Sequence, residues 1–392
     1  MPSAQLTRQL ATLIIILFVP WIVWRVSEPL PEAFHDFFKA YYPAGAALWG
    51  EGATLSSLIE GADFVNLPIV SLLFAPLGLW EKHLAALIFL LLGICATAAA
   101  LYWLVILSPR RSVAFRLLPI LFALNGPLIY SLKEGNTSHF VLALLIASLF
   151  LARQKADFSV GLLIGVASLI KLPLLLFIMY FLLCKRWISI LGIAIIVTFG
   201  IVLSLAIFGM DLHFLWLQRC IIPFLGKPVH AFNVQSLDGF LIRLYLNTEW
   251  RGWGPQELPA IYMWFRWFII GCILACSAYA LRRVFSRDDN LGFAIVITIS
   301  VIISPLSWLH YYCWLLFPWG LYIGGSLRGD NATRWLMIGG VLFASLPAVN
   351  FAWFSPSPIW QTLASAWLFG GLLTLAGLLR SATLKGQNTI IH

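Results

Sequence analysis

Apolar runs of about 15–25 residues recur along this chain, each closed by a short polar or charged turn. Taken as spans they cover 9–25, 84–107, 114–131, 138–152, 158–171, 172–184, 187–209, 259–283, 290–306, 308–326, 333–351 and 357–380. Runs of this length suit a bilayer, in which only helices and closed barrels satisfy every backbone group, and they predict about twelve crossings. Lys171 and Pro173 interrupt one long apolar stretch, so 158–171 and 172–184 are read as two helices. The stretch from Asn66 to Trp80 is short and carries Pro68 and Pro76. It is read as a juxtamembrane or re-entrant helix on the outer face. The expected fold class is an all-α polytopic integral membrane protein. It has about 12 transmembrane helices plus juxtamembrane helices in the first outer loop.

Composition agrees: the 392 residues are 61% hydrophobic and 10% charged, more apolar than a soluble domain needs. The first run, Gln9 to Trp24, follows Arg8, lacks a small-residue cleavage site and ends in interfacial Trp21 and Trp24, which predicts a retained helix. The net charge of +9 is then a topology record, and no nucleic-acid partner is expected. With a cytoplasmic N-terminus, Arg8, Arg110, Arg111, Arg116, Arg153, Lys155, Lys185, Arg186, Arg282, Arg283, Arg287, Arg328, Arg334, Arg380 and Lys385 all fall inside, as does the C-terminus. The acids Glu28, Glu32, Asp36, Glu51, Glu60, Asp63, Glu134, Asp211, Asp238, Glu249 and Glu257 fall outside. One transmembrane domain, 1–392, therefore carries two outer loops, 26–83 and 210–258. The inner turns are too short for a nucleotide-binding domain, and no Walker or glycine-rich dinucleotide motif is present, which argues against an ATP-driven pump. Of six cysteines, Cys272 and Cys276 share a helical spacing, but no His or carboxylate joins them, so they read as packing residues.

The uncommon polar residues gather on the outer side. Asp36 lies in the first loop, the segment Lys133–Glu134–Gly135–Asn136 joins two spans, and Asn233, Gln235, Ser236, Asp238 and Arg243 occupy the second loop. Lys171 stands inside an apolar stretch, where an ionisable group marks a functional site unless it snorkels to a headgroup. Snorkelling is the expectation for Arg266, while His310, flanked by Tyr311, Tyr312 and Trp314, fits either a ligand site or an aromatic belt.

Ordered motifs narrow the choice. Asp36-Phe-Phe-Lys-Ala-Tyr-Tyr-Pro-Ala-Gly-Ala-Ala-Leu-Trp is followed by Asn66-Leu-Pro, Leu73-Phe-Ala-Pro-Leu-Gly, Gly135-Asn-Thr-Ser, Ile170-Lys-Leu-Pro, Asn233-Val-Gln-Ser-Leu and Ser304-Pro-Leu-Ser-Trp-Leu-His-Tyr-Tyr. This set resembles the polytopic GT-C glycosyltransferases, most closely glycosyltransferase family 87, from about residue 5 to 380. It departs at Asn66, where relatives usually carry Tyr, and at Gly135-Asn136, where they usually carry Gly-Gln.

The resemblance implies a GT-C-type fold with the active site on the outer face; disulfide-free cysteine usage and an uncleaved first helix suit a bacterial inner membrane, which makes that face periplasmic. It implies a hexose, mannose first, moved from a polyprenyl-phosphate carrier to a glycolipid or glycan acceptor with inversion. By motif match Asp36 is the general base. Lys171, His310 and, more weakly, Arg243 are candidates for the donor phosphate; Tyr41, Tyr42, Asn136, Asn233 and Gln235 suit the sugars. No cofactor and no obligatory metal are expected, since a lysine and a histidine can stabilise the leaving phosphate. The competing readings are a transporter or flippase of lipid-linked sugars, for which broken helices with a buried lysine are also suited, and a polysaccharide ligase or polymerase.

Overall fold

The structure, a computed structural model, describes residues 33–247, 252–284, 289–348 and 355–387. The predicted first helix, 9–25, lies outside the described residues. Those described are helical throughout, without a β-strand; only two isolated bridges occur, Val229 with Pro255 and Val234 with Trp308. In chain order the longer helices are α1 (Lys82–Leu107), α2 (Arg111–Ala123), α3 (Gly126–Lys133), α4 (Ser138–Arg153), α5 (Asp157–Ile170), α6 (Phe177–Leu183) and α7 (Trp187–Trp216). They continue with α8 (Leu237–Leu246), α9 (Ala260–Val284), α10 (Asp289–Ile303), α11 (Leu316–Ile323), α12 (Asn331–Ala344) and α13 (Ala366–Gln387).

Side-chain caps begin several of them. Glu81 accepts from the amides of His83 and Leu84 at the start of α1, Asn125 from Leu128 in α3, Ser236 from Gly239 in α8 and Asp330 from Thr333 in α12. In lipid the apolar effect does little to drive helix onto helix, so close approach of small residues matters more. The tight pair α5 and α7 uses it: a Cβ on Gly161 would stand 2.1 Å from the Ser189 carbonyl oxygen and 2.9 Å from Gly192 Cα.

Fewer crossings follow by length than the apolar runs predict. Among the described residues four helices are long and apolar enough to cross a membrane, with a fifth if α2 and α3, bent by 54°, count as one span. The expected twelve are not confirmed by length among the described residues, because several runs end early as helices. The 16 residues of α4 rise about 24 Å against a hydrocarbon core of about 30 Å. The run 308–326 begins as a 3₁₀ turn, Leu309–Leu315, before α11. The 66–80 stretch forms 3₁₀ turns, Pro68–Leu73 and Leu77–Leu79, packed into the first-loop core with Phe37, Phe64 and Phe89.

Charged turns meet at one end of the bundle. Arg153 donates to the Leu107 carbonyl at 2.6 Å and to Asn290 Oδ1 at 2.8 Å; Arg186 pairs with Asp157 and Asp289; Arg380 grips Asp330. At the other end, Phe34 N–H donates to the Lys133 carbonyl at 2.6 Å, and Leu309 N–H to the Asn233 carbonyl at 2.7 Å. Arg266 differs from expectation. Rather than snorkelling, it is buried, with Nε 2.5 Å from Asp238 Oδ1 and its guanidinium 4.5 Å from the Trp267 ring centre. A buried carboxylate partner removes the reason to reach for a headgroup, and the pair joins α8 to α9.

Candidate active site

Asp36 is set by a backbone-to-backbone contact. Phe34 adopts the left-handed conformation (φ 64°), and the amides of Phe34 and Phe37 donate to the carbonyls of Lys133 and Glu134. Opposite them Gly135 has φ +65°, and a Cβ there would fall 2.6 Å from Phe37 Cβ. Only glycine permits both that conformation and that approach. From Phe37 to Tyr41 the chain makes a π-turn, a widened form common at functional sites. Phe37 stacks on Phe89 at 4.9 Å and Tyr41 on Phe74 at 4.6 Å, so aromatic packing holds both ends of the turn.

Asn136 reaches Asp36 across this contact, its Nδ2 lying 2.6 Å from Asp36 Oδ2 and 3.4 Å from the Tyr41 hydroxyl. The amide cannot turn over, because its oxygen accepts from both the amide and the hydroxyl of Ser138, at 3.2 and 3.1 Å. Burial pushes the Asp36 carboxyl above its ordinary value, opposed by the Asn136 hydrogen bond and by the charge of Lys171. Glu134, likewise pressed by burial and then by the nearby Asp36, is pushed up to about 7.

Lys171 ends α5 in an extended conformation, just before the Pro173 break, and is only 6% exposed. Its Nζ sits 4.9 Å from the centre of the Tyr311 ring, which in turn stacks on Trp314 at 4.8 Å. A cation over an aromatic face is held without a dedicated carboxylate, so its charge stays available to Asp36 and to a ligand. The Asn66 amide donates to the Ile170 carbonyl at 3.2 Å and ties the first loop to this break. His310, buried, lies beside Lys171 and stacks on Tyr130 at 6.3 Å; its Nε2 has no partner. Tyr130 neighbours Glu134, and Glu134 neighbours Asp36. Asp36 thus neighbours both Lys171 and Glu134, and Tyr130 neighbours both Glu134 and His310.

The remaining candidates divide. Tyr41 and Asn136 belong to the cluster, and Asn233 joins it beside the Tyr130 hydroxyl with its Oδ1 buried and unpartnered. Tyr42 turns away, its hydroxyl on the Trp80 carbonyl at 3.0 Å. Gln235 holds loops together through the carbonyls of Phe232 and Ala364, both at 2.7 Å. Arg243, 2% exposed, donates to the carbonyls of Ala231 and Val234 and to Ser365 Oγ, contacts that close the second loop, while its Nε is buried without a partner. Sequence reasoning missed the ring of Tyr311 as a cation platform and Tyr130 as a member of the cluster. It also missed buried His139, bonded to Ser131 at 3.0 Å and packed on Gly93. Proximity in sequence to His310 and to Asn136 was the available signal for the first two. Among the described residues no group of three or more His, Cys, Asp or Glu is placed to hold a metal ion.

Comparison with known proteins decides the class. The sequence model of Glycosyltransferase family 87 matches residues 64–305, more than half of the chain. The chain belongs to glycosyltransferase family 87. This family 87 protein is accordingly an integral membrane glycosyltransferase, and the matched stretch holds Asn136 and Lys171 while Asp36 and His310 lie outside it, on either side. It is 27% identical over 386 residues, covering 92% of this chain and 86% of the relative, to the polyprenol-phosphate-mannose-dependent alpha-(1-2)-phosphatidylinositol pentamannoside mannosyltransferase of Mycolicibacterium smegmatis. To the protein of the same description from Mycobacterium tuberculosis (strain CDC 1551 / Oshkosh) it is 26% identical over 381 residues, covering 92% of this chain and 82% of the relative. To a polyprenol-phosphate-mannose-dependent alpha-(1-2)-phosphatidylinositol mannoside mannosyltransferase of Mycobacterium tuberculosis (strain ATCC 25618 / H37Rv) it is 22% identical over 406 residues, covering 94% and 90% of the two chains.

Proposed function

We propose that this family 87 protein transfers mannose from a polyprenyl-phosphate carrier to a hydroxyl of a glycolipid or glycan acceptor, with Asp36 as general base. The reaction takes place on the outer face of a bacterial inner membrane, with both termini inside and the shorter helices serving as partial spans among about twelve crossings. The observation that carries the reading is the Asp36 carboxylate, held by Asn136 at 2.6 Å, with the buried charge of Lys171 close by.

Asp36 takes the proton of the acceptor hydroxyl as its oxygen attacks the anomeric carbon, and the bond to the lipid phosphate breaks. Direct displacement inverts that carbon. Charge growing on the departing phosphate is met by Lys171 and by a hydrogen bond from His310, both in a water-poor setting where such contacts are strong. The names of the three relatives support mannose and the polyprenyl carrier. Membership of a glycosyltransferase family speaks against the transporter reading.

The test supplies purified protein in lipid with polyprenyl-phosphoryl mannose and a panel of glycolipid acceptors, comparing wild type with Asp36→Asn. Transfer by the wild type and loss of most turnover in the variant, with the carrier still bound, is expected. Full turnover in Asp36→Asn would remove Asp36 from the chemistry.

A further inference from the structure

Glu134 has no place in the mechanism above, yet its position is as tightly set as that of Asp36. Its own carbonyl accepts from Phe37 N–H at 3.2 Å, the carbonyl before it from Phe34, and Asn136 two residues on holds the Asp36 carboxylate. No hydrogen bond or ion pair engages its carboxyl among the described residues. Tyr130 borders it, and beside Tyr130 lies the Asn233 Oδ1, buried and without a partner. A buried amide oxygen left unpaired is costly and points to a missing donor. The donor phosphate cannot supply one. A phosphate diester has no proton to give to Asn233 Oδ1, and the cation that suits it, Lys171, neighbours Asp36 rather than Glu134.

We propose that Glu134, Tyr130 and Asn233 form the acceptor subsite, binding hydroxyls of a neutral hexose that ends the acceptor, beside Asp36. Sugar hydroxyls donate to the Glu134 carboxyl and to Asn233 Oδ1, and the Tyr130 ring edges the same space. This orients the attacking hydroxyl toward Asp36 while the phosphate-linked sugar lies against Lys171 and His310. The subsite rests on the mannosyl-transfer reading, and it makes the acceptor a glycan terminus rather than a bare lipid alcohol or a peptide hydroxyl.

The experiment uses the full-length protein in lipid, with polyprenyl-phosphoryl mannose as donor and octyl α-D-mannopyranoside as acceptor probe. Initial rates are measured for wild type, Glu134→Ala, Glu134→Gln, Asn233→Ala and the exposed-loop control Glu51→Gln, each checked for folding by its thermal transition. Glu134→Ala and Asn233→Ala are expected to raise KM for the octyl mannoside about tenfold or more, with KM for the donor within about threefold of wild type. Glu134→Gln, still able to bond a hydroxyl, falls between, and Glu51→Gln matches wild type. An unchanged acceptor KM in Glu134→Ala, or a donor KM raised equally, overturns the subsite while wild-type transfer leaves the proposed function standing. Absence of transfer by wild type to any sugar acceptor overturns both.

Discussion

Asn136 donates to Asp36 at 2.6 Å because its oxygen is already committed to the Ser138 amide and hydroxyl. The orientation of the amide, and so the direction of the hydrogen bond on the carboxylate, is settled by a residue two positions away. Replacing Asn136 by Ala frees the Asp36 carboxylate to rotate. Turnover is expected to fall about 10- to 100-fold with little change in unfolding temperature. Asn136→Asp is expected to do worse, since it sets a second carboxyl against the first. Single-turnover rates with saturating donor measure both, and wild-type rates in Asn136→Asp would show that Asn136 does not act through Asp36.

Burial raises the Asp36 carboxyl, and a general base works only when unprotonated. The acid limb of the kcat/KM profile is therefore expected above the ordinary aspartate value of about 3.9. Asn136→Ala removes a hydrogen bond that favours the charged form, so the limb moves further up in pH. Movement downward would contradict the assignment.

Glu134 carries a related sign. With its carboxyl raised to about 7 by burial and by Asp36, its neutral form is favoured in the folded chain. The stabilisation it lends is full below the ordinary carboxylate range and is lost as pH rises through about 7. Lys133, Tyr130 and Asp36 face it and remain in place in a Gln variant. The unfolding temperature of wild type is expected to drop between about pH 4.5 and 7 relative to Glu134→Gln and to run parallel above that; parallel curves throughout would refute it.

Lys171 and Arg243 separate under the same assay. Lys171→Met removes the charge beside Asp36 and is expected to cost about 10²-fold or more in turnover while the fold persists. Arg243→Met strips three hydrogen bonds from buried loop acceptors and is expected to destabilise by on the order of 3 kcal/mol, seen as a lower unfolding temperature. A folded Arg243→Met that selectively loses donor binding would place Arg243 at the phosphate site.

Asn66→Ala tests the tie between the first loop and the helix break. Its amide holds the Ile170 carbonyl at 3.2 Å, next to Lys171. Turnover is expected to fall severalfold through misplacement of Lys171, and Asn66→Gln, with the same donor on a longer arm, is expected to restore part of it.

Much of this was legible in the chain. Lys171 and Pro173 announced the break, and the separation of acids from basic turns placed Asp36, Lys171 and His310 at one end before any coordinates. What escaped reading was the direction of side chains. Arg243 and Gln235 are polar residues in an outer loop, but backbone carbonyls left open by irregular chain absorb their donors, and such demand is invisible in sequence. Arg266 was legible as costly, not as paired, because Asp238 is 28 positions away. Helix length does not confirm the number of crossings for a related reason: apolar composition sets what lipid tolerates, whereas helix length is set by breaks such as the 3₁₀ turn at Leu309–Leu315.

The contact of Gly135 with Phe37 has one more consequence. Because two main chains touch there, the carboxylate is located by the thickness of the polypeptide rather than by side-chain rotamers, which fluctuate. The entropy of placing the base is settled when the chain folds, before either lipid arrives. Residue 135 is then a calliper for the reaction, and each carbon added to it measures how much displacement the transfer step tolerates.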